Sequence, residues 1–322
     1  KNLVLFYTID MSSITHNQNQ SGRFISLAVG VLLCASIMLS LLTFGPTKSN
    51  GLPVSLKKGI GVVTIFGPIT YGSQRFGVPI DGIELWINQL KGLGENPNVM
   101  GVVLHINSPG GTAGSSSELY AAIQQFRTTY PDKPVVVSIG DVGASGAYWT
   151  AVAADHIFAN AVSMVGSIGV LMAQFDLTRV PEKYGISQRL YKSAPLKDFM
   201  SSWRNPTDQE IQITQSLLDD IHTEFVQVIA NSRDLDVETV RDIARGQVYS
   251  GHQAKALGLI DDIGGLQDAL NYTADQVGLE GPVPVIRSKA TSFNQFFELL
   301  GTMFSFDPSS LYSLQSALPI LR

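Results

Sequence analysis

Residues 99–111 read VMGVVLHINSPGG, and residues 135–149 read VVVSIGDVGASGAYW. Each begins as a β-branched apolar run without polar alternation and ends in a glycine-rich turn. A short, continuously apolar run closed by turn residues is the pattern of a strand buried on both faces, as in a parallel sheet. The same pattern lies upstream in GIGVVTIF at residues 59–66, closed by Gly67-Pro68 and followed by apolar residues at helical spacing over 83–90. A helix is expected from about Ser115 to Phe126 after the first quoted run. The second run supplies a strand over 135–139, a turn at residues 143–146 and a helix over 147–154. Strand, glycine turn and helix thus recur at a spacing of about thirty residues, which predicts an α/β domain with a largely parallel sheet and its sites at the strand C-termini. Farther on, residues 171–197 are mixed and carry no clear assignment, residues 207–232 form an amphipathic helical stretch, and GQVYSGHQAKALGLIDDIGG at 246–265 reads as strand, helix ending near Gly258, and strand. One domain accounts for residues 58–285.

Outside it, residues 24–44 read FISLAVGVLLCASIMLSLLTF without a charge. That length of helix crosses a hydrocarbon core of about 30 Å, and a cleaved secretory signal has a shorter apolar region of roughly 7 to 15 residues. We read a transmembrane anchor over 24–44, preceded by a leader over 1–23 in which Met11 is a candidate start, and followed by a Gly/Pro/Ser linker over 45–57. Arg23 lies on one side of the run and Lys48, Lys57 and Lys58 on the other, so charge alone favours an external N-terminus. The tail over 286–322 is apolar, with Phe293, Phe296, Phe297 and Phe304, and calls for a covering surface in the domain, a sister subunit or a bilayer.

Charged residues make up 15% of the chain and the net charge is −5. With no basic stripe, nucleic acid is a poor partner. The single cysteine, Cys34, lies within the apolar run, which excludes an internal disulfide and a thiolate zinc site. No metal-ligand spacing and no phosphate- or dinucleotide-binding glycine pattern is present, so neither metal nor cofactor is expected.

Chemistry concentrates at the turns. Backbone amides of Gly110, Gly111 and Gly146 could point at an oxygen that gains negative charge, although each loop could equally be a tight turn. Ser145 stands where a strand gives way to a helix, a place suited to a nucleophile and also to an ordinary helix-capping serine. A serine nucleophile needs a base. His16 precedes the apolar run, His105 lies in an apolar strand, His156 follows an alanine-rich helix, and His222 and His252 sit on polar faces, so none is persuasive. A lysine can replace histidine when apolar surroundings keep it neutral. Lys197, in KSAPLKDFM with Leu196, Phe199 and Met200 beside it, meets that description. A second Ser-x-x-Lys arrangement, Ser55 to Lys58, falls in the linker and is set aside.

INSPGG (106–111), ASGAYW (144–149), GSIGV (166–170), KSAPLKD (192–198) and VYSGHQAKALGLID (248–261), in this order, resemble the signal peptide peptidase A family in its half-length form. The resemblance covers roughly residues 58–270. It implies a Clp-protease/crotonase-like fold of ββα units behind one transmembrane helix, and a Ser-Lys dyad in which Ser145 is the nucleophile and Lys197 the general base. Ser167 matches a serine that orients the lysine, and Gly111 (or Gly110) with Gly146 matches the oxyanion donors. Ala147 departs from the family, where a second glycine is common. The resemblance further implies signal peptides and similar apolar peptides as substrates. It also implies a ring-shaped homo-oligomer, and a single-pass location in the bacterial inner membrane with the catalytic domain on the periplasmic side. The same fold hosts acyl-CoA isomerases and hydratases, which need no serine nucleophile, and a non-catalytic membrane scaffold is a third possibility.

Overall fold

The computed structural model describes residues 57–75, 78–80 and 82–287. The apolar run 24–44, the leader, most of the linker and the tail beyond 287 lie outside the described residues. Among the described residues no helix is long and apolar enough to cross a membrane.

The chain is a mixed α/β structure around one sheet of eight strands. Its strands are β1 (Gly59–Phe66), β4 (Val99–Ser108), β5 (Val135–Ala144), β6 (His156–Ala159), β7 (Met164–Gly166), β8 (Val248–Ser250), β9 (Asp262–Ile263) and β10 (Val285–Arg287). A short antiparallel pair, β2 (Ser73–Arg75) and β3 (Val78–Ile80), stands apart. The helices are α1 (Ile83–Glu95), α2 (Ala113–Thr129), α3 (Gly146–Ala151), α4 (Val180–Tyr184), α5 (Asp208–Arg233), α6 (Val237–Ile243), α7 (Gly251–Ala256) and α8 (Leu266–Gln276). The main order is β10-β1-β4-β5-β6-β9, all parallel, with β7 parallel to β5 and β8 antiparallel to β7.

The unbroken apolar runs follow from burial on two faces. Side chains alternate along a strand, so Val102, Leu104 and Ile106 of β4 enter the larger core with Trp86 of α1, Leu119 of α2 and Phe225 of α5, while Val103 points the other way. There it meets Ile60, Val62 and Val136, covered by Ala269, Leu270 and Ala274 of α8. Val102, Val103, Leu104, Ile106, Val136 and Val137 are buried whichever face they point to, which is why these runs show so little polar alternation.

The expected strand over 135–139 runs on to Ala144. The extension depends on a distant partner: Val136–Ile139 pair with β6, whereas Val142, Gly143 and Ala144 pair with β7. At this change of partners the register with β4 shifts between Ile106 and Ser108. The Asn107 side chain fills the irregularity, its Oδ1 accepting from the Val142 amide at 3.0 Å and its Nδ2 donating to Asp141 at 3.3 Å. Residues 171–197, left unassigned from sequence, join no strand and contain one short helix, α4. The 207–232 helix is α5, opened by a capping box between Thr207 and Glu210.

Candidate active site

Three strand ends meet here. Register pairs Ser108 with Gly143 and Ala144 with Gly166, so the turns after β4, β5 and β7 lie side by side. They carry Gly110-Gly111, Ser145-Gly146 and Gly166-Ser167.

Ser145 has φ 54° and ψ −127°, a backbone conformation that costs a non-glycine residue about 1–3 kcal/mol. Its neighbours impose that conformation. The Ser145 amide donates to the Gly166 carbonyl at 2.7 Å, and its carbonyl accepts from Tyr148 at 2.9 Å and Trp149 at 3.0 Å. A capping serine would have an extended backbone and accept an amide with its hydroxyl. Ser145 occupies the N-cap position of α3 but does neither. Among the described residues its hydroxyl makes no hydrogen bond, and the half-buried residue is held rigid by three backbone bonds.

Both flanking turns need glycine. A Cβ at Gly146 would fall 2.1 Å from Ser116 Oγ, and one at Gly111 would fall 1.8 Å from the Ile69 carbonyl oxygen. Gly110 has φ 102°, and a Cβ there would sit 2.8 Å from Gly146 N. Hydrogen-bond direction separates the two candidate donors of this loop. The Gly110 amide is already bound to Ser108 Oγ at 3.1 Å. Gly111 forms a parallel bridge with Ile69, made by Ile69 N to Gly110 O and Thr112 N to Ile69 O. In that geometry the middle residue turns its own amide to the opposite side. A Cβ on Gly146 would lie 3.2 Å from Gly111 N, so the two amides are neighbours. The Gly146 amide is the first of α3 and has no intrahelical acceptor. Gly111 and Gly146, and not Gly110, present the open donors.

Ser167, with φ 49°, follows the carbonyl that receives the Ser145 amide. Its own amide donates to Gln247 O at 2.8 Å and its hydroxyl to Gly246 O at 3.3 Å. Lys197 differs from expectation. It is exposed, on a turn where its amide donates to Ala194 O at 3.2 Å, and Leu196 beside it is exposed as well. Among the described residues its apolar neighbours in sequence leave it exposed, and none of residues 169–209 is buried.

A profile of peptidase family S49 matches residues 128–280. A protein of Synechocystis sp. named as a protease is 34% identical over 243 residues, which cover 72% of this chain and 83% of that one. A protein of Enterococcus faecium named as signal peptide peptidase SppA is 35% identical over 211 residues, 66% of this chain and 58% of the relative. Protease 4 of Salmonella typhi is 31% identical over 222 residues, 69% of this chain and 35% of the relative. The chain belongs to peptidase family S49. It is a serine peptidase.

Three of the four histidines among the described residues of this S49 peptidase are engaged in other contacts. Burial, with a contribution from Arg287, holds His105 below the usual imidazole range, and its ring packs edge-on against Phe66. His156 pairs with Asp262 at 3.2 Å and stacks on Tyr272, while His222 bonds the Ala244 carbonyl at 2.9 Å. Beneath the Ser145 turn, the buried Tyr148 hydroxyl donates to Leu259 O at 2.7 Å, and the Arg233 fork grips Asp261 at 2.8 and 3.0 Å. Burial opposes ionisation of Asp261, but Arg233 outweighs it and keeps the carboxyl below its ordinary range. Sequence reading missed Asn107, Ser108 and Ser116, which shape the site through a bulge, an amide and a wall. The polar letters of INSPGG and of SSSEL after it were the only signal available.

Proposed function

We propose that this S49 peptidase is a membrane-anchored endopeptidase that degrades cleaved signal peptides and similar apolar peptides through a Ser145-Lys197 dyad. The observation that carries the reading is the rigid, uncapped Ser145 hydroxyl beside two amides with no internal acceptor. Neutral Lys197 removes the Ser145 proton as Oγ attacks the peptide carbonyl, and the Gly111 and Gly146 amides donate to the oxyanion. The tetrahedral species collapses as Lys197 returns the proton to the leaving amine. Water, deprotonated by Lys197, then releases the acyl group and regenerates Ser145.

In this reading Lys197 needs desolvation, and among the described residues it is exposed. The segment that bears it displays Leu171, Phe175, Tyr184, Ile186, Leu190 and Tyr191 to solvent, and such a surface favours a partner. In our reading a second copy covers it, and copies in head-to-tail contact close a ring in which each Lys197 serves a neighbour's Ser145. The division of β5 between β6 and β7 supports the Clp-protease/crotonase-like architecture. Residues 24–44 supply the anchor, placing the domain on the periplasmic side of the inner membrane, and Ser167 orients the lysine in the assembled site.

The test is complementation. Ser145→Ala and Lys197→Ala chains are each inactive; unfolded together and reassembled into verified mixed oligomers, they regain activity against a signal peptide. Mixed oligomers as inactive as either parent place both groups in one chain. An active Ser145→Ala protein ends the dyad reading.

A further inference from the structure

Between Ile168 and Phe225 the chain has a single buried residue, and it is a carboxylate, Glu210. Burying a carboxylate is costly unless its oxygens are fully bonded. Those of Glu210 are: Arg204 donates at 2.8 and 2.6 Å, the Thr207 amide at 2.8 Å and the Thr207 hydroxyl at 3.1 Å. Arg204 is thereby fixed at the start of α5 and reaches back with Nε to Asp198 Oδ2 at 2.7 Å and with Nη2 to the Asp198 carbonyl at 3.3 Å. Asp198 follows Lys197 directly. Its other oxygen accepts from Lys192 Nζ at 2.7 Å, and the same ammonium donates to Pro195 O at 2.8 Å. The backbone turn of Lys197 is therefore pinned on both sides, at Pro195 and at Asp198. Met200, just beyond, takes φ 60°, where the backbone is strained. Two cations face two carboxylates in the network, so its own charges balance.

We propose that Lys192, Asp198, Arg204 and Glu210 are positioning residues that hold the Lys197 turn on the N-terminal end of α5, in an arm that has no apolar core to hold it. The inference rests on Lys197 being the general base. Elsewhere in the domain, position is enforced by packed side chains; here the buried side chain is charged and the exposed ones are apolar. The arm thus keeps its apolar face outward without losing the geometry of the one turn on which the proton transfer depends. A base displaced by about 1 Å loses up to about 100-fold in rate.

The experiment uses the full chain, with a fluorogenic apolar peptide as substrate. Arg204→Ala and the isosteric Asp198→Asn should lower kcat by about 10- to 100-fold, with KM within about twofold, and Arg204→Lys should recover part of the loss because one ion pair can re-form. A purely structural role would move the melting temperature and the active fraction, not kcat per titrated active site. Lys197→Ala runs alongside. If it is inactive while Arg204→Ala and Asp198→Asn keep wild-type kcat per active site, the network does not position the base and the inference fails alone. If Lys197→Ala is fully active, the dyad fails and the inference with it.

Discussion

In β4 and β5 most residues are buried, the apolar ones on one of two faces, whereas across residues 169–209 nothing is buried and Leu171, Phe175 and Tyr191 are 82%, 84% and 88% exposed. Both regions are rich in apolar residues. What differs is the partner. The strands find theirs within the chain, in α1, α2 and α8, and this packing can force Ser145 into an unfavourable backbone conformation. Among the described residues the arm, 169–209, has no buried partner, and ion pairs rather than packing fix the turn that carries Lys197. Precision at Ser145 is intrinsic to one chain; in our reading Lys197 is its base, and precision there is prepared by one chain and completed by assembly.

The sharpest attack on the rigid side is Gly146→Ala. Its Cβ would lie 2.1 Å from Ser116 Oγ, so the turn must shift and take an amide with it. Loss of one aligned oxyanion donor lowers kcat by about 10²–10³. Steady-state kinetics normalised to folded protein checks this, and a loss below about tenfold would show that the amide is not needed.

A pair of leucine truncations compares the regions directly. Leu104→Ala, in the larger core, should cost about 2–5 kcal/mol in urea unfolding. Leu171→Ala should change the unfolding of the isolated chain by no more than about 0.5 kcal/mol. If the two costs are similar, the arm is packed in the monomer and the contrast fails.

The smallest effect concerns acid. Hydrogen bonds from Arg204 and then from the Thr207 amide bring the Glu210 carboxyl from 4.5 to about 2, and Arg204 with Lys192 likewise holds Asp198 well below its ordinary range. Because the folded values are depressed, the contribution of these groups is fully present above about pH 4.5 and is lost as pH falls toward 2. Amide exchange over residues 192–210, corrected for its intrinsic pH dependence, should accelerate across that interval while β4 stays protected. Protection unchanged down to pH 2 would mean that the ion pairs do not order the turn.

The sequence made the repeated strand-turn-helix pattern legible because each unit is local: a β-branched run, then glycines, then helical spacing. Long-range pairing was not legible. Nothing in GDVGA announces that these residues continue a strand, since the reason is β7 arriving from twenty residues away in the register Ala144 to Gly166. The choice between Gly110 and Gly111 was equally hidden, because it turns on which way an amide points after Ile69 docks. Ser145 could be read as nucleophile or cap, and only its φ and the missing side-chain cap bond, neither visible in sequence, speak against the cap. For Lys197 the local reading misled. Leu196, Phe199 and Met200 are apolar, but adjacency in sequence does not by itself produce burial, and Lys197 stays exposed.

In our reading Lys197 makes Ser145 nucleophilic. Labelling the full chain with a fluorophosphonate, followed by peptide mass mapping, tests it most directly. The account predicts one modified residue, Ser145, in the wild-type protein and labelling slowed by about 10³-fold or more in folded Lys197→Ala. Modification at another serine, or unchanged labelling of Ser145 without Lys197, would contradict it.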